Sequence, residues 1–145
     1  MTRSYQNEQL VVHWTAERCV HVGFCVNALV EVFDRERRPW IELGETDVDE
    51  IVRVVENCPS GALTYERLDG GGQEKPEDPV SIVPWPNGPL FVRGSFEVRD
   101  RHGNTFDTGP RATLCRCGQS RNHPFCDLSH RDAGFRSYPQ ANREQ

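Results

Sequence analysis

Six cysteines constrain this 145-residue chain more than anything else in it, and they fall into two groups of three. Cys19, Cys25 and Cys58 form the first group and Cys115, Cys117 and Cys126 the second, with no cysteine between Cys58 and Cys115. Only 36% of the chain is hydrophobic, so its core must be modest. Small folds with thin cores need a staple: disulfides, a metal or oligomerisation. The opening MTRSYQNEQLVVHW lacks a charged region followed by an apolar run and a small-residue cleavage site, and no apolar stretch is long enough to span a bilayer. A cytoplasmic protein is therefore expected. Thiols stay reduced in that compartment, so the cysteines read as ligands, and the grouping predicts two separate sites.

The formal net charge of −5 argues against nucleic-acid binding, which relies on clustered Lys and Arg to neutralise phosphates. It predicts a basic docking partner instead.

Leu10 to Trp14 reads as a short strand, and Ala62 to Leu68 alternates apolar with polar like a second. Between them, Val26 to Phe33 carries apolar residues at helical spacing. Asp47 to Asn57 sets Ile51, Val52, Val54 and Val55 on one stripe behind acidic first-turn residues, and Pro59 requires that helix to stop near Cys58. The expectation is a β-α-α-β unit. From Asp69 to Pro89 the composition turns to Gly, Pro and charge, as in a linker. Beyond it, 90–94, 95–99 and 105–114 read as extended runs with a turn at 100–104.

The stretch from Cys115 to His130 carries the strongest chemical signal. In an extended segment residues i and i+2 point to the same side, so Cys115 and Cys117 can reach one metal. A helix capped by Asp127 would place His130 in its first turn, close to Cys126. Structural zinc sites also use Cys and His, but they space their cysteines as C-x₂₋₄-C, and C-x-C is unusual among them. The stretch closely resembles the CDGSH iron-sulfur domain of the NEET type through Cys115, Cys117, Ser120, Pro124, Cys126, Asp127, Ser129 and His130. The resemblance extends back over Gly88 to Gly94 and forward to Gly134-Phe135. It implies a [2Fe-2S] cluster near the surface, held by Cys115, Cys117, Cys126 and His130. Leu128 stands where the family has glycine; if that position needs a positive φ, leucine is strained there.

The first group reads Cys19-Val20-His21-Val22-Gly23-Phe24-Cys25, then Cys58-Pro59-Ser60-Gly61-Ala62-Leu63. Bacterial ferredoxins carry C-x₂-C-x₂-C and a remote Cys-Pro; here Val22 replaces the middle cysteine. The segment from Val11 to Tyr65 resembles the divergent single-cluster ferredoxin domains. That likeness implies a [3Fe-4S] or [4Fe-4S] cluster on Cys19, Cys25 and Cys58. His21, one residue short of the usual middle position, is a candidate fourth ligand or close donor. Val22 is expected to shield the site from water, and buried free cysteines are the bland alternative.

Together these readings predict an α+β protein: a ferredoxin-like β-α-α-β lobe over 1–68, a linker over 69–87 and a small β-rich CDGSH lobe over 88–145. The expected function is electron transfer to or from redox proteins such as a reductase, an oxygenase or a flavoprotein, without catalysis, nucleic acid or membrane, and with a homodimer as the expected assembly. Neither a nucleophile–base set nor a nucleotide-binding glycine loop is present in the sequence. Transfer of the cluster to other proteins, or redox and pH sensing, is the alternative role.

Overall fold

The computed structural model describes residues 1–142, so the last three residues of the expected C-terminal lobe lie outside the described residues. The chain divides into two compact units, Met1–Lys75 and Pro76–Gln145. Both are built of small antiparallel sheets with few helices, an α+β fold as expected.

In the first unit, strands β1 (Thr2–Gln6), β2 (Leu10–Thr15) and β3 (Leu63–Arg67) form one sheet in the order β1-β2-β3. The pairing of β2 with β3 sets Val12 opposite Tyr65 and Trp14 opposite Leu63. Helix α2 (Val48–Glu56) lies on the same core. It starts where the acidic residues indicated, because the Asp47 carboxylate accepts the Asp49 N–H at 3.0 Å and satisfies a first-turn donor. Ile51 and Val55 are fully buried with Leu10, Val12, Val32 and Phe33. Each such side chain contributes about 1.5–3 kcal/mol relative to exposure.

Two features depart from the pattern. The helix expected over Val26 to Phe33 instead spans Phe24–Ala28 (α1). Leu29 leaves helical geometry at φ −148°, and Phe33 pairs with Ile41 in a β-bridge, which draws the chain out of the helix. Strand β1, not anticipated, is folded onto β2 by Asn7, whose side-chain Oδ1 accepts the Gln9 and Leu10 N–H groups at 2.8 and 2.9 Å.

In the second unit, strands β4 (Ser81–Pro84), β5 (Leu90–Arg93) and β8 (Arg111–Leu114) form one sheet, and β6 (Val98–Arg99) pairs with β7 (Thr105–Phe106). Strand β4 falls within the stretch expected to be irregular. Its Ile82 and Val83 favour extended backbone, and as an edge strand it tolerates Pro84. The β6–β7 turn closes on Asp100, whose carboxylate accepts the His102 and Asn104 N–H groups at 2.8 and 3.0 Å. A four-residue helix, α3 (Ser129–Asp132), follows the last cysteine. No helix of the described residues is long and apolar enough to cross a membrane.

Candidate metal centres

Strand β8 delivers Cys115 at its end. The loop that follows folds back so that the Cys115 N–H donates to the Pro124 carbonyl at 2.8 Å and the Cys126 N–H to the Thr113 carbonyl at 3.0 Å. These two bonds set Cys126 beside the start of the cysteine pair. Buried Ser120 holds the loop closed, donating to the Phe125 carbonyl at 2.6 Å and accepting the Asn122 N–H at 3.0 Å.

The resulting hollow is lined by Cys115, Cys117, Cys126 and His130. The sulfurs of Cys115 and Cys117 stand 3.8 Å apart, and the Cys126 sulfur stands 3.6 Å from Nδ1 of His130. A tetrahedral metal with thiolates at about 2.3 Å and imidazole at about 2.1 Å separates such donors by about 3.8 and 3.6 Å. Each pair therefore has the spacing of two ligands on one ion. Among the described residues, no three His, Cys, Asp or Glu side chains converge on a single point.

Backbone N–H groups of Gly118, Gln119 and Leu128 point at the sulfurs of Cys115, Cys117 and Cys126 at 3.3, 3.3 and 3.4 Å. Burial pushes the Cys115 thiol up, but the N–H groups of Ser120 and Gly118 outweigh it and hold the thiol below its ordinary range. Cys126 is raised, chiefly by burial. His130 is lowered by burial and by neighbouring Arg131, which favours the neutral imidazole that metal binding requires.

The helix that carries His130 begins at Ser129, with Leu128 in the capping position at φ +73°. The leucine thus adopts a left-handed geometry that ordinarily favours glycine. Asp127 supports the turn from outside the helix, accepting the Ser129 and Arg121 N–H groups at 3.0 and 2.9 Å; the Ser129 hydroxyl, with these N–H groups, lowers its carboxyl to about 2.

Sequence reasoning passed over Arg116. Its guanidinium donates to the carbonyls of Gly88 and Trp85 at 2.8 Å each and to Ser137 Oγ at 2.9 Å, and it lies 4.9 Å above the Phe135 ring. It ties the segment before β5 to the tail beyond α3. Its position between two ligand cysteines was the available signal, since alternation turns the middle residue of C-x-C to the opposite side.

In the first unit, Cys19 follows a short 3-10 turn (Ala16–Arg18), Cys25 sits in α1 and Cys58 just past α2. All three are half-buried and line one hollow. Burial raises Cys19 and Cys25. His21, held at φ +53°, places Nδ1 at 3.6 Å from the Cys19 sulfur. Ligands on different irons of a cuboidal cluster stand farther apart than two donors on one metal, so this spacing suits an N–H···S bond to Cys19. Ser60, buried beside Cys58, lies 3.6 Å from its sulfur. Trp40 lines the same hollow, and among the described residues its buried indole N–H has no partner; an inorganic sulfide could supply an acceptor. Val22 lines the hollow but is 52% exposed, so it is at most a partial cover.

Cysteines gathered with imidazole under N–H donors form a donor set that suits an iron-sulfur protein, and the family comparisons agree. Residues 5–68 match the family model described as a divergent 4Fe-4S mono-cluster, and residues 87–131 match the iron-binding zinc finger of CDGSH type. The chain belongs to these iron-sulfur families, one in each half. Curated relatives include the uncharacterized protein YjdI of Escherichia coli K12 and that of Escherichia coli O157:H7. Each is 41% identical over 63 residues, which is 43% of this chain and 83% of the relative.

Proposed function

We propose that the protein is an electron carrier with two different iron-sulfur clusters. A [2Fe-2S] cluster takes Cys115 and Cys117 on one iron and Cys126 and His130 on the other. A second cluster, [3Fe-4S] or [4Fe-4S], takes Cys19, Cys25 and Cys58. The observation that carries this reading is the pairing of donors at 3.8 and 3.6 Å, which gives each pair the spacing of two ligands on one iron.

Bound clusters supply one-electron redox chemistry. The protein's own contribution is to fix the donors, aim N–H groups at the sulfurs and keep His130 neutral. N–H···S bonds and a neutral ligand in place of a thiolate both withdraw negative charge and raise the reduction potential. The role is that of a carrier, with a reductase, an oxygenase or a flavoprotein as partner. A second reading, cluster transfer, is favoured by the placement of His130 on a four-residue helix at a half-exposed position, where a ligand is easily released.

The test is iron and acid-labile sulfide per chain in two variants. Cys115→Ser removes two irons and leaves the second cluster; Cys58→Ser removes the other cluster and leaves the [2Fe-2S] absorption. Unchanged iron in either variant contradicts the assignment of that site.

A further inference from the structure

The formal charge of −5 points to a basic partner, but the surface beside the first cysteine group has the opposite sign. A groove of about 780 Å³ runs from Cys19 and Cys25 past Trp40 to three arginines, Arg3, Arg35 and Arg38. Among the described residues no aspartate or glutamate lines it.

Among the described residues no carboxylate forms an ion pair with any of these three arginines. Arg35 lines the groove together with Cys19 and Cys25. Among the described residues Arg38 bonds to the backbone carbonyls of Arg35 and Arg37, at 2.9 and 2.8 Å, which leaves its charge in place. The nearest acidic neighbours along the chain, Asp34 and Glu36, do not line the groove, and the Asp34 carboxylate is turned to the Glu36 N–H at 3.0 Å.

Beside the same cysteines, Val22 and Phe24 are 52% and 44% exposed and line the hollow that holds the thiols. An apolar contact area next to a redox site, flanked by arginines, has the anatomy of a transient protein interface: apolar at the centre and charged at the rim. Arginine is also the residue suited to bidentate pairing with carboxylates.

We propose that this face docks the acidic surface of a redox protein, and that electrons cross there between the first cluster and the partner. The proposal rests on the electron-carrier reading. Local field, not net charge, then steers the encounter. In the transfer step one electron leaves the reduced first cluster and reduces the partner's oxidised centre, with no proton or group transferred.

The probe is ferric cytochrome b5, an acidic protein, mixed in stopped flow with the chemically reduced holoprotein while haem reduction is followed against salt; ferric cytochrome c, a basic protein, is the control. The rate with cytochrome b5 falls as salt rises although both proteins are acidic overall, and it drops about tenfold in Arg3→Glu/Arg35→Glu with iron content unchanged. Arg3→Lys/Arg35→Lys keeps the charge and the rate, which separates charge from folding. A rate that rises with salt, or one unchanged in the charge-reversed variant, overturns the docking face. A holoprotein with no reducible first cluster overturns the carrier reading, and the docking face falls with it.

Discussion

Leu128 shows how a single side chain can be tolerated against its backbone preference. At φ +73° it occupies a region that costs an L-residue about 1–2 kcal/mol, offset partly by the lower chain entropy of leucine relative to glycine when unfolded. Leu128→Gly is expected to raise the stability of the second unit by about 0.5–1 kcal/mol, read as a higher thermal midpoint with unchanged iron. Leu128→Val, stiffer at Cβ, lowers it. His130 sets the pH response. Burial and Arg131 depress its protonation, so its contribution is fully present above the unfolded value. It is lost as pH falls through the depressed folded one. Metal ligation needs the same neutral imidazole, so the visible absorption of the [2Fe-2S] cluster persists at about pH 8 and decays at about pH 5. His130→Cys removes this acid lability and lowers the potential; equal cluster lifetimes at the two pH values contradict the assignment.

At the scale of elements, legibility followed how local the cause was. Helix α2 was readable because its apolar stripe and its Asp47 cap are both written within the element. Helix α1 was not, because the Phe33–Ile41 bridge that ends the run is a long-range pairing invisible to periodicity. Strand β1 is exposed at four of its five positions, so it lacks the alternation that marks a half-buried strand. The loop over 115–130 shows the same division. Its cysteine and histidine pairs were plain from spacing, but the lock that holds them was not, since Arg116 reaches carbonyls at Trp85 and Gly88 far away in sequence. Arg116→Ala is expected to cost the second unit roughly 2 kcal/mol, because its charged hydrogen bonds are lost and the Gly88 carbonyl loses its donor, while the Trp85 carbonyl keeps the Gly88 N–H. Chemical denaturation measures it, and a cost near zero assigns Arg116 no structural role.

For the whole molecule, the two cysteine groups anticipated two sites, and each group is gathered in a different compact unit. What the sequence hid was the distribution of charge: composition yields a net value, while folding brings Arg3 beside Arg35 and Arg38 from distant positions. The most direct test of the two-cluster account is low-temperature electron paramagnetic resonance on anaerobically purified protein, before and after chemical reduction, with each spectrum integrated against total iron. The account predicts a [2Fe-2S] signal that appears on reduction together with a second, distinct cluster signal. That second signal is present in the oxidised protein if the first site holds [3Fe-4S] and emerges only on reduction if it holds [4Fe-4S]. Iron-free protein, or a single signal accounting for all the iron, contradicts it.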